Sequence, residues 1–232
     1  MFVTNQPAMV IENKGMIYLL IGDLHLGLTA EFRRKGISVN SQITNFIDRI
    51  KNLKKSTRAK NLIMIGDVKH KPQGISWQEE KEIPMFLNQL SNMFKKIIIV
   101  KGNHDGNIER LVPHKDIIKV KNSIVIGDYF ITHGHRKITT KKPYVIIAHN
   151  QPGIKFRDKI GAVYTLPCWV RGQLNKAEVI IMPAFNPLSG STIVNHDKML
   201  GPVAKNLNKS NVHVFLLDGT DIGTIKDLWI ES

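Results

Sequence analysis

Short apolar runs recur along the whole chain, at Met16 to Gly22, Leu62 to Gly66, Ile97 to Lys101, Tyr129 to Thr132, Tyr144 to Ala148, Glu178 to Met182 and Val212 to Leu217. Runs of this length without strict alternation predict strands buried on both faces. Between the first two runs, Ile43, Phe46, Ile47, Ile50 and Leu53 recur at helical spacing. They predict a helix with one apolar stripe and Ser38, Asn40 or Ser41 as its N-cap. Between the second and third, Phe86, Leu87, Leu90, Met93 and Phe94 form a second stripe, with Pro84 in the first helical turn. The first half therefore reads as βαβαβ. In the second half IVIGDYFIT reads as a hairpin turning at Gly127-Asp128, and the later strands follow without long helices between them. A parallel half joined to a more antiparallel half predicts an α/β fold of two packed mixed β-sheets flanked by helices.

Length and composition narrow the class. The 232 residues suit one domain, 1–232, and neither a repeat nor a low-complexity linker divides them. No stretch approaches the roughly 18 apolar residues that span a bilayer, and the first residues lack a basic segment followed by an apolar one. A cytoplasmic protein with no membrane association is expected. The single cysteine, Cys168, excludes an intramolecular disulfide, and its apolar setting VYTLPCWV reads as a packed core thiol. The net charge of +14 predicts a polyanionic partner. Its basic residues cluster at Lys51 to Lys60, at Arg136 to Lys142 and at Lys155 to Lys159, the last two flanking the candidate site.

Five of the apolar runs end in side chains that bind metals or move protons: LLIGDLH, IMIGDVKH, IIIVKGNHD, FITHGH and VIIAHNQ. Ligands of α/β sheets collect beyond the carboxyl ends of the strands, so residues distant in sequence converge there. Alone, Asp23-Leu24-His25 would be a helix cap beside a surface imidazole, and Gly66-Asp67 an ordinary turn. The same placement repeated five times points to a metal site instead. Carboxylate, imidazole and carboxamide donors suit two divalent ions sharing one aspartate, which activate a water for in-line attack on phosphorus while an imidazole assists the leaving group.

In these motifs the chain resembles the calcineurin-like metallophosphoesterases: Asp23-Leu24-His25, Gly66-Asp67-Val68-Lys69-His70, Gly102-Asn103-His104-Asp105, His133, and Ala148-His149-Asn150-Gln151 stand in that family's order. The likeness extends through PAFNPLSG and LLDGTDIGTIKDL to the small archaeal phosphoesterases related to the SbcD nuclease and to bacterial DNA-ligase-associated phosphoesterases. It implies a four-layer αββα sandwich and a setting in DNA repair, with a DNA-processing protein partner or a homo-oligomer both compatible. It further implies that Asp23, His25 and Asp67, with the residue at Gln151, hold one ion, and that Asp67, Asn103, His133 and His149 hold the other. His104 then acts at the leaving group, Asp105 orients it, and His70 lines the phosphate pocket.

Two positions depart from the family's pattern. Ala148 replaces a glycine, which a methyl group tolerates unless the backbone needs positive φ. Gln151 replaces a histidine, and a carboxamide oxygen is a harder, weaker donor. Either Gln151 ligates, favouring manganese or magnesium over zinc, or water or His135 takes its place. Manganese leads as the cofactor, with magnesium, iron(II) and zinc as alternatives. His135, Arg136, Lys137, Lys155 and Arg157 are candidates for contacting substrate phosphates.

The reading favours phosphodiester hydrolysis, with DNA or RNA as substrate. SbcD-like nucleases carry an extra capping region, whereas only 81 positions follow Gln151 here. A phosphodiesterase or phosphatase for small nucleotides or cyclic esters is the alternative. A non-catalytic nucleic-acid-binding or scaffold protein with a degenerate metal site is the alternative of another class. No P-loop or serine-hydrolase elbow is present in the sequence, and His114, His196 and His213 read as structural or surface residues.

Overall fold

The computed structural model describes residues 1–229. β1 (Met9–Asn13) turns into β2 (Met16–Gly22), with which it pairs antiparallel. α1 (Leu28–Arg34) and α2 (Ile43–Thr57) lead to β3 (Asn61–Ile65), and α3 (Trp77–Ser91) leads to β4 (Lys96–Val100) and then β5 (Ile118–Lys121). The strands form one sheet in the order β1-β2-β3-β4-β5, parallel from β2 onward. β1, β5 and α1 carry no clear pattern in the sequence; β1 and β5 are short strands at the sheet's two edges, and α1 has only seven residues.

A second sheet follows. β6 (Ser123–Ile126) and β7 (Tyr129–Thr132) make the expected hairpin, Ile126 facing Tyr129 across Gly127-Asp128. β8 (Tyr144–Ile147), β9 (Pro152–Arg157), β10 (Val163–Leu174), β11 (Ala177–Ile181), β12 (Thr192–Ile193), β13 (His213–Leu216) and β14 (Asp221–Thr224) complete nine strands. β7, β8 and β11 are mutually parallel, and the rest of the sheet is largely antiparallel.

Side chains alternate between layers, as a strand's two-residue period requires. On β2 and β3, Leu19, Ile21, Leu62 and Met64 meet the stripes of α2 and α3, while Leu20, Ile63 and Ile65 face the second sheet. Opposite them, Ile146, Ala148, Trp169 and Ile180 close the inter-sheet core. Val145, Ile147, Val179 and Ile181 pack outward under α4 (Gly201–Ala204) and its neighbouring loops, a thin outer layer. The architecture is the α/β sandwich of two mixed sheets that the apolar runs predict. Among the described residues no helix is long and apolar enough to cross a membrane. Cys168 is buried, and desolvation pushes its thiol pKa up, as a core residue requires.

Two helix starts differ from expectation. The N-cap of α2 is Gln42, with Ser41 Oγ accepting from Ile43 N at 3.4 Å, and Ser38 and Asn40 stand outside. α3 begins seven residues before Pro84, because Ser76 and Glu79 form a reciprocal capping box that outweighs the proline's preference for a first turn. Pro84 thus lies inside the helix without an amide to donate. Pro84→Ala is expected to stabilise the protein by about 1–3 kcal/mol, read as a raised thermal midpoint; a lowered midpoint would show that the ring's packing outweighs the regained hydrogen bond.

Candidate metal centre

Backbone pairing continues past the end of β2 and β3. Asp23 N donates to Gly66 O (3.3 Å), His25 N to Asp67 O (2.8 Å) and Leu26 N to Val68 O (2.9 Å), which fixes the two loops side by side. From behind, Asn186 Nδ2 donates to Leu24 O at 2.8 Å, so PAFNPLSG buttresses the first loop. Across the seam, β7 and β8 deliver His133 and His149. His149 N closes the gap by donating to Asp23 Oδ2 at 3.1 Å.

Asp67 stands at the middle. Its Oδ1 accepts from His104 N at 2.9 Å, while Oδ2 lies 3.3 Å from His133 Nε2, 3.8 Å from His25 Nε2 and 3.9 Å from His104 Nε2. Such crowding leaves no room for side chains at two glycines. A Cβ on Gly102 would sit 2.1 Å from Asp67 Oδ1, and one on Gly66, whose φ is +70°, would sit 1.9 Å from His133 Nδ1.

Two triads of donor atoms share Asp67: Asp23, His25 and Asp67, and Asp67, His133 and His149, each within 4.8 Å. Asp23 Oδ1 is buried without a hydrogen-bond partner, the condition of a ligand atom awaiting a cation. This donor set fits divalent ions. Five of the eleven non-glycine residues at positive φ fall in these loops: Asp23, His25, Asp67, His149 and Gln151. Each costs about 1–2 kcal/mol relative to ordinary backbone, so the surrounding hydrogen bonds hold the donors in place against strain.

Charge follows burial and proximity. Burial, opposed by His133, raises the Asp23 carboxyl to about 8. For Asp67, burial works upward, but His133, His104 and His25 hold the carboxyl well below its usual range. Burial disfavours a charged His133, yet the Asp67 and Asp23 carboxylates raise it to about 9. His25 falls to about 3 and His149 to about 4, both chiefly through burial, so these rings are neutral donors.

His104 sits at the rim. Its Nδ1 is held by the His70 carbonyl oxygen, leaving Nε2 toward Asp67. Asp105 reaches the imidazole only through the backbone: its oxygens accept from Gly102 N (2.8 Å) and Lys69 N (3.1 Å) and so staple the loop. His70 packs beside His25, Nδ1 to Nδ1 at 3.4 Å, and His25, His70 and His104 form a third cluster. Glu31 on α1 holds His70 Nε2 at 2.7 Å, and buried Glu79 accepts from His70 N, Lys71 N and Ser76 N. Neither carboxylate is among the site residues expected from the sequence. Glu31 had no signal, whereas Glu79 was legible in the S-x-x-E capping box. Lys69 is also buried, its Nζ donating to Lys71 O.

The two departures from the family's pattern have local accounts. Ala148 is not among the positive-φ residues, and its methyl packs in the inter-sheet core, where a Cβ added to Gly22 would lie 2.9 Å from it. Gln151 Nε2 lies 2.7 Å from His25 Nε2, so its amide reaches the centre. Asn103 is exposed beside His104. His135 packs on the outer side of His133, ring centroids 5.3 Å apart, and its Nδ1 is buried without a partner. Arg136, Lys137 and Arg157 are exposed and Lys155 is half-buried. Lys141 and Lys142 do not flank the site as the cluster suggested. They precede β8 and line a groove with Leu174 and Lys176, at the end of the strand opposite His149. His196 and His213 pair with Asp197 and Asp221, and His114 with Asn88, all at the surface.

Comparison with known proteins adds a family. The family model described as Metallophos, Calcineurin-like phosphoesterase, matches residues 16–217. Among solved structures, the nuclease MPE of Pseudomonas putida is similar at 20% identity and a TM-score of 0.58, over 91% of this chain and 97% of that one. Yfce, a phosphoesterase from E. coli, aligns at 14% identity and a TM-score of 0.40, over 89% and 97%. No curated protein matches the chain.

Burial raises Asp23 and the neighbouring carboxylates raise His133, so this pair retains proton occupancy at neutral pH that a cation must displace, whereas the His25 and His149 rings are already neutral. Loading with manganese at neutral pH is expected to release protons, and affinity to climb as pH rises toward about 9. Calorimetry in two buffers of different ionisation enthalpy counts the protons, and identical heats in both would refute the assignment.

Proposed function

The chain belongs to the calcineurin-like phosphoesterases, and on that premise we propose that it hydrolyses phosphodiester bonds of nucleic acid at a centre of two divalent ions. The observation that carries this reading is the single Asp67 carboxylate common to two donor triads. Asp23, His25 and Gln151 would complete one site with Asp67, and Asn103, His133 and His149 the other. Ions bound there supply Lewis acidity to phosphoryl oxygens and lower the pKa of water.

The chain's own residues do the rest. With His104 Nδ1 fixed on the His70 carbonyl, Nε2 is the nitrogen that gains and releases a proton, and it faces the centre where the leaving oxygen departs. Glu31 holds the far nitrogen of His70, so that ring stands as a wall of the phosphate pocket. Rotating the Gln151 amide by half a turn puts its oxygen where Nε2 now meets His25, which turns the side chain into a hard oxygen donor suited to manganese or magnesium. The charge of +14 supports an extended polyanion as substrate, with Arg136 and Lys137 exposed after His135.

Manganese-dependent turnover of an aryl phosphodiester, followed by DNA and RNA, is the direct test. His104→Ala should lower kcat by about 10²–10⁴ with manganese affinity retained; a variant with full activity, or wild-type protein inert toward every phosphoester, would remove the proposal. Gln151→His should shift calorimetric affinity toward zinc relative to manganese. Unchanged affinity for both ions would take Gln151 out of the coordination shell.

A further inference from the structure

β9 leaves the metal centre one residue after Gln151 and, with β10, forms a ribbon that outgrows the second sheet. β10 pairs with β13 from Cys168 and with β11 from Val170, but Val163–Pro167 pair with β9 alone. These five residues are exposed, whereas Cys168, Trp169 and Val170 are buried. β12 joins β9 only at Pro152 and Gly153, and the Asn195 side chain fastens the backbone of Lys155. From Phe156 outward the arm is two-stranded. Its tip is an ordered turn, in which Asp158 Oδ1 accepts from Ile160 N (3.0 Å) and Ala162 N (2.9 Å).

That turn occupies the arm's one acid, so the outward charge is that of Lys155, Arg157 and Lys159. Among them stand exposed apolar side chains: Ile160 is 90% exposed, Tyr164 53%, Val163 47% and Leu166 44%. Apolar surface of this extent calls for a partner, and charge decides which. A second copy would set three cations against three, whereas a polyanion neutralises them. Cross-strand pairing puts Lys155 and Arg157 on one face of the ribbon and Tyr164 on the other. Among the described residues no strand pairs with the outer edge of β9 beyond Lys155, so a nucleotide strand lying along that edge turns phosphate to one face and base to the other. An exposed aromatic face stacks on unpaired bases. At about 3.3 Å per residue, Lys155 and Arg157 lie about 13 and 20 Å along the chain from Gln151.

The geometry points to the β9–β10 arm as a holding site for single-stranded nucleic acid, leading its phosphates from the metal centre past Lys155, Arg157 and Lys159 while Tyr164 stacks on a base. The strand's course into the centre rests on the phosphodiesterase reading; binding along the arm does not need an ion. The test measures fluorescence anisotropy of a labelled short oligothymidylate and of a duplex of equal length with the full chain in EDTA. Alongside it, manganese-dependent turnover of a small aryl phosphodiester, which cannot reach the arm, is followed. Tyr164→Ala should weaken single-strand binding about tenfold, Tyr164→Phe should retain it, and Lys159→Ala should reduce the salt slope by about 0.7. Turnover of the small diester and the thermal midpoint should not change. Wild-type protein that binds no oligonucleotide, Tyr164→Ala with full affinity, equal binding of the duplex, or a dimer that Tyr164→Ala dissociates would each overturn the assignment. Turnover of the small diester without arm-dependent binding would defeat the arm and leave the phosphodiesterase reading standing, and arm-dependent binding without turnover of any phosphoester would do the reverse.

Discussion

The Asp67 carboxylate lies in the seam between two sheets, its side chain only 3% exposed, with three imidazoles within 4 Å of one oxygen and a backbone amide on the other. A buried charge of this kind persists only where partners compensate it. Its neighbours answer to that requirement: His133 gains a proton, and the glycines at 66 and 102 leave the space that side chains would fill. Because both donor triads contain Asp67, the two cannot be loaded or lost independently of it.

Holding so many donors together has a conformational cost. The loops carrying Asp23, His25, Asp67, His149 and Gln151 adopt left-handed backbone at those residues, and the rest of the fold opposes their relaxation. Parallel strands with fully buried side chains end directly beneath the loops, Asn186 braces one of them, and Asp105 and Glu79 tie down the segments that present His104 and His70. Carboxylates here therefore do two kinds of work. Asp23 and Asp67 face the centre, while Asp105 and Glu79 spend their oxygens on backbone amides and keep the rim rigid.

The protein's excess positive charge complements this arrangement. Asp23 and Asp67 are buried in the centre and Asp105 and Glu79 in its supporting loops, while exposed cations stand at Arg136 and Lys137 and along the arm that begins beside Gln151. Cations bound by the buried donors and lysines outside them both attract phosphate. The first act on one bond and the second on a length of chain, which separates chemistry from grip.

The layers are legible in the residue pattern alone. Uninterrupted apolar runs such as Leu62 to Ile65 have to be buried on both faces, the stripes from Ile43 to Leu53 and Phe86 to Phe94 have to lie on a sheet, and the repeated ending of runs in Asp, Asn and His marked one edge as the chemical one. These features are local and periodic, so they survive without knowledge of the partner. Contacts without a local period come from the assembled fold. Glu31 meets His70 across 39 positions, Gln151 meets His25 across 126, and Lys141 and Lys142 fall at the wrong end of β8 to serve the centre. The same holds for β9 and β10, whose outer residues show in the sequence only as a basic cluster and become an arm through pairing with each other. Periodicity reports which face of an element is buried; which side chains then touch depends on how the sheets are stacked, and that is set by the packing of the whole core.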